Sequence, residues 1–240
     1  MFFVAVFIVA ILSGATATVV GFGIGSMMTP LLAIRFGTAT AVALVTLPHA
    51  VATGVRCWRL RAHVDRSVLV PFGLLSAAGA LAGALIFTRL GPGVLTRILG
   101  GLLLLTAVAQ LTGWASRWQP HGPVVALLGL VSGFFGGIAG NQGGLRSAAL
   151  TAFGLSPLGF IATATATGLL VDAARTPVYL WHSGPVLLTL WAPILIATVG
   201  VLIGTLVGER MLVGLSPRRF GQTIGAAIGT LGIWMLVMPV

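Results

Sequence analysis

Two glycine-rich stretches decide the fold of this chain: GFGIGSMMTPLLAIRF at residues 21–36 and GNQGGLRSAALTAFG at residues 140–154. In each stretch the glycines interrupt an apolar segment. The helical run that follows has about 11 or 12 residues, or roughly 18 Å of helix. This length is too short to cross a hydrocarbon core about 30 Å thick. We therefore expect two broken helices that begin inside a membrane.

The composition of the whole chain is that of a membrane protein. Of its 240 residues, 58% are apolar and 7% are charged, whereas a soluble domain carries about 25% charged residues. Apolar stretches of about 20 residues, separated by short polar breaks, predict membrane-spanning helices. The alternating strands of a membrane barrel are absent from the sequence. The predicted fold is an all-α integral membrane protein.

The formal charge of +10 comes from arginine alone, since the chain contains no lysine. The arginines stand singly or in loops at the ends of apolar runs, which is typical of topology determinants and disfavours nucleic-acid binding. The single cysteine, Cys57, excludes an intrachain disulfide, and the four histidines lack metal-ligand spacing. We expect no metal and no cofactor.

Apolar length and helix breakers together predict ten helical segments, eight of full length and two short ones. Whether the short segments cross the membrane or re-enter it is left open. The segments lie near 2–21, 25–36, 39–57, 67–87, 93–113, 123–140, 144–154, 157–180, 186–207 and 219–239.

An internal repeat divides these segments into two halves, residues 1–118 and 119–240. A shift of 119 residues brings nine identical residues into register, including Thr46 with Thr165 and Arg56 with Arg175. Further along, with a shift of 121, a pair of glycines four residues apart recurs. Small residues at this spacing let membrane helices approach closely. We predict two repeats of five segments that together form one transmembrane domain.

An odd number of crossings per half would invert one half relative to the other. The arginines favour this arrangement, with both termini outside, because they then collect mainly on one side. That side would hold Arg56, Arg59, Arg61, Arg66, Arg117, Arg210, Arg218 and Arg219, and the other Arg35, Arg89, Arg97, Arg146 and Arg175.

Short, glycine-interrupted helices at matching places in two halves point to a transporter's binding site. A helix that begins inside the membrane presents unpaired N–H groups and partial positive charge, which favour an anion. The alternative is that the glycines only permit close helix packing. We predict that the substrate is bound by Gly21, Gly23, Gly25, Ser26, Thr46, Asn141, Gln142, Gly143, Gly144, Arg146 and Thr165.

Polar side chains at the second break strengthen this prediction. Asn141, Gln142 and Arg146 are costly at membrane depth unless each one binds something. Arg146 lies in the first turn of the short helix, where it can pair with an oxyanion; the alternative is that it snorkels to the membrane surface. A threonine in a membrane helix more often bonds its own backbone, and the repeated pair of Thr46 and Thr165 is the exception that we favour.

Three further polar residues are assigned separate roles. His49 follows Pro48 within a helix and is a candidate proton carrier, although a lone histidine is more often structural. Asp172 precedes Arg175 by three residues on one helix face, which predicts an ion pair. Because the chain has only three acidic residues, a carboxylate cage for Na⁺ is not expected.

The glycine motifs resemble those of the sulfite exporter TauE/SafE family. They are Gly21-Phe22-Gly23-x-Gly25 followed by Pro30-Leu31-Leu32, and the run from Ser132 to Gly140. The resemblance covers essentially the whole chain and implies transport of sulfite, sulfonates or other small organic anions. The second motif continues as Gly-Asn-Gln-Gly-Gly-Leu-Arg where a glycine run followed by apolar residues and proline is commoner, and so resembles one branch of the family.

Taken together, the sequence predicts a secondary transporter or facilitator of a small anion of the sulfite, sulfonate or organic carboxylate class. It would be a multi-pass protein of a bacterial inner membrane, with the anion and the lipid bilayer as its partners. An anion channel and a substrate-free membrane assembly protein are the alternatives, and a homodimer is left open. An intramembrane enzyme is disfavoured because His49, Cys57 and Asp172 show no catalytic spacing.

Overall fold

The computed structural model describes residues 1–113, 122–211 and 217–237, and these residues are helical almost throughout, without a strand. This confirms the all-helical prediction. The predicted boundary between residues 118 and 119 and the topology marker Arg117 lie outside the described residues, as do the side chains of Arg218 and Arg219. The helices are α1 Phe2–Val20, α2 Ile24–Phe36, α3 Thr38–Leu60, α4 Arg66–Phe87, α5 Pro92–Thr112, α6 Pro123–Ala139, α7 Gly143–Leu150, α8 Pro157–Thr189, α9 Trp191–Met211 and α10 Pro217–Val237.

Six helices in the described part of the chain are long and apolar enough to cross a membrane: α1, α3, α4, α5, α8 and α9. The helices α2 and α6 are apolar but shorter, with 13 and 17 residues. Large apolar side chains such as Leu127 and Leu188 are exposed on the outer surface, where they would meet lipid. The chain is therefore a multi-pass membrane protein, and its eight full crossings remain a prediction.

The helix α8 corrects one predicted boundary. The sequence predicted a break at residues 181–185. The structure instead has one continuous helix of 33 residues that includes them and ends at Thr189. Pro177 and Pro185 lie inside it. An interior proline removes one hydrogen bond and bends a helix without having to end it. At 1.5 Å per residue α8 is about 50 Å long, so it tilts or extends beyond a core of about 30 Å.

Both expected helix breaks are present, and glycine geometry forms them. The helix α1 ends at Gly21 and α6 ends at Gly140, where φ is +85° and +69°, and each terminal N–H bonds back to the carbonyl four residues earlier. A side chain is strained at these angles, so glycine is required. The chain then starts again as α2, with 13 residues, and as α7, with 8 residues.

Helices pack across the predicted halves through glycine contacts. The pairs with the most extensive packing are α1 with α9, α4 with α6, and α5 with α10, while α3 packs on α8. A Cβ atom on Gly83 would lie 2.1 Å from the carbonyl oxygen of Phe134, and one on Gly204 would lie 1.9 Å from that of Ile11. The backbones therefore touch, as expected for small residues in membrane helices.

The polar side chains lie at the centre of this bundle. Asn141, Gln142, Arg146, Asp172 and Arg175 are each no more than 5% exposed. They come from the second helix break and from the middle of α8. Because burying such groups without partners is expensive, their concentration in one place marks a candidate functional site.

Candidate functional site

A small cavity lies where the two helix breaks meet α3 and α8. The cavity has a volume of about 20 Å³. A single buried water molecule needs roughly 10–15 Å³ of such space. The cavity therefore has room for about one water molecule in this conformation, and a larger solute would need it to widen. Its lining residues are Ala17, Gly21, Phe22, Gly23, Gly25, Ser26, His49, Arg56, Gly140, Asn141, Gln142, Gly143, Arg146 and Arg175.

The two helix breaks touch each other at this cavity. A Cβ atom on Gly25 would lie 2.5 Å from the carbonyl oxygen of Gly140, and one on Gly143 would lie 2.2 Å from Cβ of Phe22. The Oγ of Ser26 donates a hydrogen bond of 3.1 Å to Oδ1 of Asn141. The starts of α2 and α7 are thus brought to one place, although 115 residues separate the bonded side chains.

The starts of α2 and α7 give the cavity a positive character. The first N–H groups of a helix have no partner within that helix, and the helix dipole places partial positive charge there. Gly25 in α2 and Gly143 in α7 carry no side chain that would cover these N–H groups. Such a place binds anions, because the backbone donors point at the ligand.

Arg146 is the charged side chain of the second break. It is 3% exposed, and its Nη2 donates to the carbonyl oxygen of Gly21 at 3.0 Å. Its Nε and Nη1 have no hydrogen-bond partner within the described part of the chain. A buried donor left unpaired costs about 1–3 kcal/mol, and more when it is charged. Arg146 does not extend to the protein surface as a snorkelling arginine would, and it has donors available for a ligand.

The amide side chains beside Arg146 are also incompletely bonded. The Nδ2 of Asn141 and the Nε2 and Oε1 of Gln142 lack partners among the described residues. Both side chains are at most 5% exposed and line the cavity. An anion placed there would accept hydrogen bonds from these two amide groups as well as from Arg146.

A second charged group is formed by α3 and α8. Arg175 donates from Nε and Nη2 to Oδ1 of Asp172, at 3.1 and 2.8 Å, and from Nη1 to the carbonyl oxygen of Gly136 at 2.5 Å. The other carboxylate oxygen of Asp172 lies 2.6 Å from Nδ1 of His49. The structure thus places the predicted ion pair next to the predicted proton carrier.

Arg56 corrects the sequence-based topology. It was counted among the arginines that mark one side of the membrane, but it is 2% exposed and lines the cavity. Its Nε donates to Oγ1 of Thr165 at 3.0 Å. The alignment of Arg56 with Arg175 in the internal repeat was the signal that could have identified it, since Arg175 lines the same cavity.

The remaining predicted residues divide into two groups. The cavity is lined by His49 and by eight of the predicted substrate-binding residues: Gly21, Gly23, Gly25, Ser26, Asn141, Gln142, Gly143 and Arg146. Three others do not: Thr46, whose hydroxyl donates to the carbonyl oxygen of Val42 at 2.9 Å, Gly144, which faces Thr106, and Thr165, which reaches the cavity only through Arg56. Thr46 therefore satisfies its own helix, as threonines in membrane helices commonly do.

The charges around the cavity favour an anion over a cation. Three guanidinium groups line it, and no carboxylate is found among its described lining residues. No group of three or more His, Cys, Asp or Glu side chains in the described ranges is placed to hold a metal ion. Arginine stays protonated in proteins, so this positive charge persists at any physiological pH.

Comparison with known proteins decides the family. Residues 6–235 match the family model described as Sulfite exporter TauE/SafE. The chain belongs to the TauE/SafE family. This confirms the resemblance inferred from the glycine motifs, and the TauE/SafE family is one of transporters and not of enzymes. Neither a curated protein nor a solved structure matched the chain.

Proposed function

We propose that this TauE/SafE protein is a secondary transporter or facilitator that carries a small anion of the sulfite, sulfonate or organic carboxylate class across a bacterial inner membrane. One observation carries the proposal. The buried guanidinium of Arg146 has two unpartnered N–H-bearing atoms at a cavity where two helix starts meet. Such an arrangement can donate hydrogen bonds to the oxygens of an anion.

The proposed site contains backbone and side-chain donors from both breaks and two further arginines. Backbone N–H groups near Gly25 and Gly143 would meet the anion first. The side chains of Asn141, Gln142 and Arg146 would surround its oxygens. Arg56 and Arg175 would add positive charge from α3 and α8. Thr165 would act indirectly by holding Arg56, and Thr46 is not included.

The arrangement of helices supports a transporter built from two structurally related repeats, and we propose that the repeats are inverted. If α1–α5 correspond to α6–α10, exchanging the halves turns the pair α1 and α9 into the pair α6 and α4. The same exchange turns α3 with α9 into α8 with α4, and it leaves α5 with α10 and α3 with α8 unchanged. All of these pairs are in contact. Rocking of such halves around a fixed site is the usual basis of alternating access.

Alternating access is favoured over a permanent channel by the closure at the cavity. A channel needs a continuous polar path, whereas the contacts of Gly25 with Gly140 and of Gly143 with Phe22 leave no backbone separation there. Only a compact space remains between the breaks. We propose that the two breaks separate when the halves move.

Thermal stabilisation of the detergent-purified protein tests the proposal. Sulfite, sulfate, methanesulfonate, acetate and chloride would be added separately at a matched ionic strength. We expect at least one oxyanion to raise the melting temperature in a saturable way, since a ligand bound only to the folded state stabilises it. Arg146→Ala should remove this increase, whereas Arg89→Ala, a change at an exposed position, should keep it. Identical melting in all anions would contradict the proposed site.

A further inference from the structure

His49 lies where a proton and an anion would meet. It lines the cavity, and its side chain is 14% exposed while that of its partner Asp172 is 1% exposed. The Nδ1 of His49 is 2.6 Å from Oδ2 of Asp172. Because an ionised carboxylate only accepts hydrogen bonds, Nδ1 carries the hydrogen of the neutral ring, and Nε2 is the nitrogen that can take a proton.

Asp172 is shared between His49 and a second cation. Its Oδ1 accepts two hydrogen bonds from Arg175, at 2.8 and 3.1 Å, while its Oδ2 faces His49. One carboxylate can neutralise one positive charge. When His49 is neutral, Asp172 neutralises Arg175. When His49 is protonated, the same carboxylate serves two cations, and one positive charge becomes available to a ligand in the cavity.

We propose that His49 binds one proton together with each anion, so that the protein is a proton–anion symporter. This inference rests on the proposed anion site and names its coupling ion. The added proton enters at Nε2 from water on the side to which the cavity opens, and it leaves from the same atom when the anion is released. No covalent bond other than N–H is made or broken.

The charges that face His49 set the sign of this coupling. They are Asp172 and Arg175 on α8 and Arg146 on α7, and Arg56 on the same helix as His49 lines the same cavity. Among the described residues, the other helices packed on α3 add no titratable group at this place. The guanidinium groups of Arg175 and Arg146 oppose an imidazolium at His49, and Arg56 adds a third guanidinium to the same cavity. An anion offsets that repulsion, so anion and proton each favour the binding of the other.

Linkage makes this coupling measurable from either ligand. If a proton strengthens anion binding by some factor, the anion strengthens proton binding by the same factor. Couplings of this kind are typically about 5- to 150-fold. Sulfate is the suitable probe because it remains fully ionised across the range in which histidine titrates, so that any proton taken up belongs to the protein.

Sulfate affinity of the purified full-length protein would be measured by isothermal titration calorimetry from about pH 5.5 to about pH 8. Proton uptake on binding would be followed with a pH indicator in weakly buffered solution. For the wild type we expect affinity to fall at least fivefold as the pH rises, together with net uptake of protons. His49→Gln should bind sulfate without uptake and without this pH dependence. His63→Gln, at an exposed position after α3, should behave as the wild type.

The outcomes separate this inference from the proposed function. Sulfate binding by the wild type that is independent of pH and takes up no proton would overturn the symport inference and leave the anion site standing. Proton uptake that persists in a folded His49→Gln protein would overturn the assignment to His49. If sulfate and the other oxyanions fail to bind at any pH, it is the proposed anion site that fails. If His49→Gln does not fold, the wild-type measurement still decides whether a proton accompanies the anion, and His49→Asn then tests the assignment to His49.

Discussion

The guanidinium of Arg146 lies directly against the backbone of Gly168. A Cβ atom on Gly168 would stand 2.8 Å from Nη1 of Arg146. In the predicted internal repeat with a shift of 119, Gly168 occupies the place that corresponds to His49. At this position the first predicted half has His49, which lines the cavity, and the second has Gly168, which leaves space for the side chain of Arg146.

We expect Gly168→Ala to weaken anion binding by about tenfold, or about 1.4 kcal/mol, because the new methyl group displaces the guanidinium of Arg146. The matched control is Gly184→Ala in the same helix, where a Cβ atom would meet nothing within 4 Å. Affinity measured by calorimetry on both purified variants checks this. Equal affinities would show that Arg146 adapts freely or does not contact the anion.

Arg146→Ala should abolish anion flux in proteoliposomes while the yield of folded protein is preserved, because the variant loses the donors at Nε and Nη1. Arg146→Lys should restore only part of the flux, since a single ammonium replaces a planar fork of donors. Radiolabelled anion uptake gives the measurement. Normal flux in Arg146→Ala would return this residue to a purely structural role.

Cysteine accessibility should place residues 63 and 182 on opposite sides of the membrane. His63 lies beside the start of α8, because a Cβ atom built on Gly159 would be 3.6 Å from the carbonyl oxygen of His63. His182 follows Gly159 by 23 residues in α8, which is about 35 Å of helix. This length exceeds the thickness of a hydrocarbon core of about 30 Å. Membrane-impermeant thiol reagents would be applied to His63→Cys and His182→Cys in a Cys57→Ser background. Labelling from the same side would exclude the proposed inversion.

Flux should depend on a pH gradient and not on a Na⁺ gradient. Asp172, the acidic side chain described next to the cavity, is already bonded to Arg175 and His49. Export of a monovalent anion down a potential of 100 mV, inside negative, already gains about 2.3 kcal/mol. Import therefore needs a co-transported cation, for which we propose the proton. Liposome flux under each imposed gradient checks this, and strict Na⁺ dependence would show that carbonyls and hydroxyls at the breaks bind that ion.

Asp65 caps the start of α4 and should make this end of the helix sensitive to acid. Hydrogen bonding from the Ser67 side chain, followed by the Val68 N–H, lowers the pKa of the Asp65 carboxyl. A carboxyl whose pKa is lowered on folding contributes stability above its unfolded pKa, and this contribution is lost as the pH falls through the folded value. The protection factors at residues 66–68, which compare the measured hydrogen exchange with the intrinsic exchange rate at the same pH, should therefore fall on acidification. Asp65→Asn, which retains a cap, should remove the pH dependence; an unchanged dependence would assign it to another group.

Both the fold class and the place of the candidate site follow from local sequence. Gly21 and Gly140 end their helices because the backbone there adopts a left-handed conformation that favours glycine. The short helices that follow place Arg146 in a first turn, which is a matter of spacing alone. These features depend on residues close together in the chain, so no tertiary contact was needed to predict them.

Other parts of the site were decided by tertiary structure. His49 and Asp172 are 123 residues apart, and Arg56 meets Thr165 across 109 residues. The apolar periodicity of the sequence does not show at what membrane depth a residue lies. Arg56 was therefore predicted to mark one side of the membrane. Thr46 shows the same limit, because its sequence allows a bond to either a ligand or Val42. Local backbone preference, set by glycine and by apolar length, determined the elements; the direction in which each polar side chain faces was determined only when α3, α7 and α8 packed together.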